Sequence, residues 1–548
     1  MVDSFVLPKL EFSSRRSPVM GRKGLVASSQ PLATAAGIQI LDQGGSAADA
    51  AVAVAAAINV TEPMSTGLGG DCFVLYYDAK KREVTALNGS GRCPAALTLQ
   101  RMKKENIPDP LPIHHPYSVT VPGACAGWCD LIERYGKLPL KTTFEPAIRL
   151  ADEGFPVSAL TSFYWQGGVE RTLTNDWGGR ELTLHGRAPR AGEVFRNPGL
   201  AHTLMLIAEN GKKAYYQGEI AAAIAAAVQK AGGCMTEEDL AAHESTWVTP
   251  ISSVYKGVRL WECPPNGQGL VALLALNIMK QFDISSTVLL SVERLHLEIE
   301  ALRLAFADAQ AYICDPAVHK IPVGDMLSDE YAASRAKLIN LKQATIDQRK
   351  GLPRVGDDTV YFCTVDSEGN ACSFINSLYM GFGSGIVPEG YGFALQNRGL
   401  NFSLDPSHPN ALAPGKRPYH TIIPAMATIE RDKTLFGPLG VMGGFMQPQG
   451  HLQVFLSMIE DRMDPQTALD TPRFCLVEGN PAGNVALEDG IPVFTMAALA
   501  DMGHTISSIT GYQRAMFGRG QIICKLPGSP VFWAGSDPRA DGCAAAQV

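Results

Sequence analysis

The residue with the most chemistry to offer is a threonine at a loop-to-strand junction. Residues 357–366 read "DDTVYFCTVD", after the charged stretch "LKQATIDQRKGLPRVG". A threonine hydroxyl is a weak nucleophile until a base stands within hydrogen-bond reach, and an N-terminal threonine carries its own base, the α-amine. That amine has an ordinary pKa of about 7.7–8.0, suited to catalysis near neutrality. Exposing it at Thr359 requires scission of the Asp358–Thr359 bond. The hydroxyl can attack the preceding carbonyl, and water can hydrolyse the resulting ester. Local sequence alone favours a plainer account, since threonine is a favoured strand residue and "DDT" an ordinary junction.

Other candidates are weaker. The glycine-rich "STGLGGD" (65–71) lacks the lysine and spacing of a phosphate loop and precedes a strand rather than a helix. A tight turn is expected. His114, His115 and His420 have no partners at metal-ligand spacing. The twelve cysteines show no repeated spacing, and Cys125 and Cys129 are four apart, which fits neither a zinc ribbon nor a redox pair. No metal and no cofactor are expected, and the thiols read as free and mostly buried.

These groups need a large scaffold. The chain has 548 residues, 46% of them hydrophobic, and a mean hydropathy of +0.02. Such a chain can bury a large core, and length alone suggests two to four domains. The net charge of −7 is spread without a basic block, so neither nucleic acid nor an anionic membrane is an expected partner. The N-terminus has no apolar signal region, and the alanine-rich run at 47–60 is too short to span a bilayer. A cytoplasmic location is expected.

Residues 1–20 read as a tail. A buried alanine helix is expected over 44–60, then a hairpin of "CFVLYYD" and "EVTALNG". From about 125 to 315 the pattern reads as mostly helical and ends in a long amphipathic helix before Asp315-Pro316. Residues 338–358 lose apolar periodicity and read as an exposed, flexible linker. Beyond 359, "TVYFCTVD", "ACSFINSLY" and "GFALQN" read as strands. Helices follow at "HLQVFLSMIEDRM" and "MAALADMGH", with "DPQTALDTPRF" as a capped turn or short helix and a terminal β segment after them. The order favours an α+β layered architecture.

Ordered motifs over residues 24–525 resemble the γ-glutamyltranspeptidase family of N-terminal nucleophile hydrolases. They run from "GGSAADAAVAVAAAINVTEPMSTGLGGDCFVLYYD" through "SVTVPGACAGWCDLIERYGKLPL", "PPNGQGLVALLALNIM" and "HLEIEALRLAFADAQAYICDP". They continue as "DTVYFCTVDSEGNACSFINSLYMGFGSG", "NRGLNFS", "KRPYHTIIPAM" and "MGGFMQPQGHLQ". The resemblance implies a four-layer αββα sandwich with two stacked, mainly antiparallel sheets. It implies a large subunit, 1–358, and a small one, 359–548, interleaved in one structural domain and held as a heterodimer. A higher oligomer is left open. Thr359 becomes the nucleophile, Ser377 the hydroxyl beside it, and Gly443 and Gly444 the oxyanion donors. Asn397 matches a family asparagine near the site, with a structural role equally open to it.

The acyl-binding positions depart from the family pattern. The early arginine position falls on Ser90, with Arg92 two residues on. The family aspartate is Asn401, its serine pair is His420-Thr421, its asparagine is Tyr379, and Arg398 stands where glutamine is frequent. Losing the aspartate weakens the grip on a substrate ammonium by about tenfold or more, because a charged hydrogen bond is worth about 1.5–3 kcal/mol and a neutral one about 1. Arg92 or Arg398 remains to pair with a carboxylate. The loop 402–416 is shorter than the lid of many relatives. The expectation is a self-processing γ-glutamyl hydrolase in which water outcompetes acceptor amines. The alternatives are a glutaryl-type acylase, an enzyme trimming glutathione conjugates, or an uncleaved, non-catalytic binding relative.

Overall fold

Alternation along one strand sets the layering. In the strand Asp358–Val365 the side chains of Val360 and Phe362 enter one apolar cluster. Tyr361, Cys363 and Val365 enter another, as a period of two requires. The computed structural model describes residues 16–173, 177–345 and 358–548. Two seven-stranded sheets organise it.

We number their strands β1 (Val19–Gly21), β2 (Leu25–Ser28), β3 (Asp71–Asp78), β4 (Glu83–Gly89), β5 (Thr246–Val248), β6 (Ile251–Tyr255), β7 (Val258–Glu262), β8 (Asp358–Val365), β9 (Ala371–Tyr379), β10 (Ala425–Ile429), β11 (Leu435–Met442), β12 (Arg519–Lys525), β13 (Phe532–Ser536) and β14 (Cys543–Ala546). One sheet runs β1-β13-β12-β11-β10-β7-β6, the other β14-β2-β8-β9-β3-β4-β5. All their pairings are antiparallel.

Three cores fill the spaces. Phe73, Leu75, Tyr361, Ile375, Met426 and Ile523 pack between the sheets. Helices α1 (Pro31–Asp42), α2 (Ala47–Thr61) and α3 (Ala124–Tyr135) cover the β8–β9 sheet. Helices α4 (Gly269–Met279), α5 (Val292–Tyr312) and α6 (Met446–Ile459) cover the other. This is the αββα sandwich. Helix α2 is buried along its whole length and starts with a capping box, Ser46 and Asp49 each bonding the other's backbone N–H. Strands from before and after residue 359 lie side by side in both sheets, so the two parts of the chain share both sheets.

Several expectations need correction. The region 125–315 is mostly helical, as expected, but it also holds the short strands β5, β6 and β7, which the sequence reading did not separate out. "GFALQN" is not a strand. Gly392 has φ +71°, and the Gln396 N–H donates to Gly69 O. The N-terminal tail ends earlier than expected, because β1 pairs with β13; residues 1–15 lie outside the described residues. The linker is shorter than 338–358. Ile339 is buried, Ala344 N donates to Met502 O, and Thr345 N donates to Glu300. Residues 346–357 lie outside the described residues.

Candidate active site

Three strands bring three polar side chains into line. Thr359 pairs with Ser377 across β8–β9, and Ser377 with Asp71 across β9–β3. Their alternation places all three on the face between the sheets. All are buried, Thr359 at 1% exposure. A register irregularity falls between Asp358 and Thr359: Asp358 pairs with Tyr379 and Thr359 with Ser377. A bulge therefore sits at the Asp358–Thr359 bond, and bulges commonly re-aim a residue beside an active site.

Ser377 Oγ is the hub. Thr359 Oγ1 donates to it at 3.0 Å, Tyr379 N at 2.8 Å and Arg398 Nη2 at 3.1 Å. Tyr379 has φ +79°, a strained value for a residue with a Cβ, held here by close packing. The ring lies under the Arg398 guanidinium at 4.3 Å, a cation–π contact. Arg398 Nη1 donates to Thr421 Oγ1 at 2.7 Å. Burial lowers the Arg398 pKa to about 10, which leaves it charged at neutral pH. Its Nε has no hydrogen-bond partner among the described residues.

Asp71 braces the surrounding loops. Its Oδ1 accepts from Gly91 N, Gly123 N and Gln396 Nε2, and its Oδ2 from His420 Nε2 at 3.0 Å. His420 Nδ1 accepts from Ile422 N, which fixes the tautomer with the proton on Nε2. Burial, and then the Arg398 charge, push the His420 pKa down to about 3. His420 is therefore a neutral strut, with both ring nitrogens engaged.

The second sheet supplies the glycine pair. Strand β11 ends at Met442 and runs through Gly443 (φ +129°) and Gly444 (φ +54°) into α6. Both values lie where a side chain is disfavoured. Among the described residues neither N–H of the pair makes a loop or turn hydrogen bond, so both can donate to an oxyanion. Gln268 Nε2 donates to Gly444 O and Thr421 O, which ties the pair through Thr421 to Arg398 and Ser377.

The remaining expected residues lie around this set. Asn401 donates to Tyr419 O, and its carbonyl accepts from Asn410. Asn397 Nδ2 donates to Ile113 O at 3.4 Å. Arg92 is half-exposed and pairs with Asp315 at 3.6 Å. Asp71, Gln268 and Gln396 escaped the sequence reading. The "GGD" that leads into β3 was a signal for Asp71, since a charged residue opening a strand buried over its first seven residues needs partners.

Away from Thr359, His296, Glu300 and His504 form a group whose ligand atoms lie within 4.8 Å of one another. His296 bonds His504 Nε2 and Asn340 O, each at 2.8 Å. The group ties residues 340–345 to a loop in the last part of the chain.

The arrangement can carry out acyl transfer: a hydroxyl poised against a second hydroxyl, two N–H groups with no loop or turn acceptor among the described residues, and a buried cation. Comparison with known proteins agrees. The family model for gamma-glutamyltranspeptidase matches residues 33–547. A glutathione hydrolase-like YwrD proenzyme of Bacillus subtilis is 38% identical over 96% of this chain and 99% of its own. An oxamate amidohydrolase proenzyme of Klebsiella pneumoniae is 32% identical over 95% and 98%. The crystal structure of a cephalosporin acylase from Bacillus halodurans superposes with a TM-score of 0.91 at 46% identity, covering 100% of this chain and 99% of that one. This chain belongs to the gamma-glutamyltranspeptidase family and is an amidohydrolase of the N-terminal-nucleophile type.

Proposed function

We propose that the chain cuts itself before Thr359 and then hydrolyses amides whose acyl group ends in a carboxylate. γ-Glutamyl amides such as glutathione and its conjugates fall within that class. In processing, Oγ1 of Thr359 attacks the Asp358 carbonyl carbon, the C–N bond breaks as the acyl group moves to oxygen, and water hydrolyses the ester. The products are the Asp358 carboxylate and a free Thr359 α-amine. The two fragments stay together as a heterodimer because they share both sheets.

In turnover the α-amine takes the Oγ1 proton as the oxygen attacks the substrate carbonyl. The oxyanion is held by the N–H groups of Gly443 and Gly444. The intermediate collapses, the α-ammonium returns the proton to the leaving amine, and the acyl group remains as an ester on Thr359. Water resolves it, or an acceptor amine does.

One observation supports this most strongly: the buried Thr359–Ser377 hydrogen bond at a strand bulge that falls on the Asp358–Thr359 junction. A denaturing gel tests it. Purified protein should give two bands in place of one at 58.7 kDa, and Thr359→Ala should give one band and no amide hydrolysis. A single band in active wild-type protein would refute it.

A further inference from the structure

Helix α5 sets a histidine and a glutamate one turn apart. His296 and Glu300 are four residues apart in it, so they share a face. His504 meets them there from the turn between the helix Val493–Asp501 and the strand Ile506–Ile509. One ligand atom from each of the three lies within 4.8 Å of the others, and the residues are buried to 1%, 2% and 3% exposure in chain order.

The partners place the protons. His296 Nε2 faces the Asn340 carbonyl at 2.8 Å. A carbonyl only accepts, so Nε2 carries the proton and Nδ1 is a bare lone pair. A metal-ligating histidine keeps such a carbonyl behind its ring, which fixes tautomer and orientation. The Nδ1 lone pair points at His504 Nε2, 2.8 Å away. His504 Nδ1 has no hydrogen-bond partner among the described residues. It can take the proton now shared by the two rings, so a cation can replace that proton without creating a charged imidazolium. Glu300 is half-committed. One oxygen accepts from Thr345 N, and the other makes no hydrogen bond among the described residues. The adverse charge is Arg303, whose Nε stands 3.5 Å from that oxygen and whose Nη atoms donate to the carbonyls of Pro481 and Gly483. Buried polar atoms without a partner are rare in folded proteins, and two fall in this one group.

The fit to a metal is close. With bonds of about 2.0–2.1 Å, two imidazole nitrogens on a tetrahedral ion lie about 3.3–3.4 Å apart, so the rings need part by only about half an ångström. Two imidazoles and a carboxylate suit zinc, whereas calcium and magnesium favour shells of oxygen. We propose that His296, Glu300 and His504 form a site for a zinc-class divalent cation, with water in the fourth position, and that the ion clamps the two parts of the chain together. His296 and Glu300 precede residue 359 and His504 follows it. Through Asn340 and Thr345 the clamp also holds the segment 340–345. The proposal stands apart from the Thr359 chemistry.

Metal-stripped full-length protein titrated with Zn2+ alone tests it, with Co2+ as a spectroscopic probe. The chain's eleven histidines and twelve cysteines can bind zinc elsewhere, so His504→Gln and Glu300→Gln set the background. Glu300→Gln keeps an acceptor for Thr345 N and serves where His504→Gln does not fold. Wild type should take up one Zn2+ per chain more than either variant, and should show the visible bands of four-coordinate Co2+ that the variants lack. Free Zn2+ at a hundred times its Kd should lower the unfolding constant of wild type about 100-fold, read as a raised urea midpoint, with no rise in the variants. Equal uptake by wild type and a folded variant overturns the site. A wild-type urea midpoint that Zn2+ leaves unchanged overturns the clamp.

Discussion

Thr359 and Ser377 face each other across adjacent antiparallel strands, and the threonine hydroxyl donates to the serine hydroxyl at 3.0 Å. Ser377 is thus placed to orient the Thr359 hydroxyl, because both side chains are fixed by the register of β8 and β9 rather than by a loop.

Removal of that partner should slow both reactions. Ser377→Ala should lower the rate of self-cleavage and the kcat of the processed form by about 10²-fold or more, the low end of what a positioned proton partner contributes. Ser377→Thr should restore most of both. Conversion of one band to two over time, followed by single-turnover kinetics, gives the two rates.

The glycine pair should be intolerant of a side chain. At Gly443 an added Cβ would lie 3.2 Å from the Gly518 Cα, on a backbone with φ +129°. Gly443→Ala should displace the N–H donors and cost about 10²–10³ in kcat, or about 2.7–4 kcal/mol. Circular dichroism of the variant should match wild type.

Much of this was legible in the sequence, and the limits have physical causes. The alternation in "TVYFCTVD" and "ACSFINSLY" shows two strands, and motif order marks Thr359, Ser377 and the glycine pair as candidates. Register is not written in either strand alone, so the alignment of Asp71 with Ser377 had to come from the fold. Strands β5 to β7 were missed because they are three to five residues long, too short for a clear period. "GFALQN" is apolar enough for a strand, yet its backbone bonds go to loops such as Gly69 and Ile386. Arg398 was visible as a departure, but that its partners among the described residues are hydroxyls and a ring was visible only in three dimensions.

Turnover should rise with pH through the α-amine. The base works unprotonated, so kcat/KM should climb and level off near the ordinary range of that group, about 7.7–8.0. A pH–rate profile on the amide of best turnover checks it. An N-terminally acetylated small fragment should be inactive at every pH.

Acid stability should depend on His420. Its folded pKa is pushed down to about 3, against about 6.5 in an unfolded chain. Above pH 6.5 both states are neutral and the residue costs nothing. As pH falls from 6.5 toward 3 the unfolded chain takes a proton that the native state refuses, so stability is lost by up to about 1.4 kcal/mol per unit. His420→Asn keeps an N–H for Asp71 and removes the titration. Urea midpoints measured from pH 7 to 4.5 should therefore fall less steeply for the variant than for wild type.

Asp71→Ala should destabilise the fold as well as the site. It leaves the N–H groups of Gly91 and Gly123 and the side chains of Gln396 and His420 without their acceptor, at about 1–3 kcal/mol for each group left unpaired and buried. Urea unfolding should show a lower midpoint with an unchanged m-value.

The central claim, that Thr359 is freed by scission and then carries the acyl group, is tested most directly by mass spectrometry of the protein quenched during turnover of a slow amide. A small fragment beginning at Thr359, with the acyl mass added on that residue, is the predicted result. An uncut chain in active protein, or an acyl group mapped to any other side chain, would contradict it.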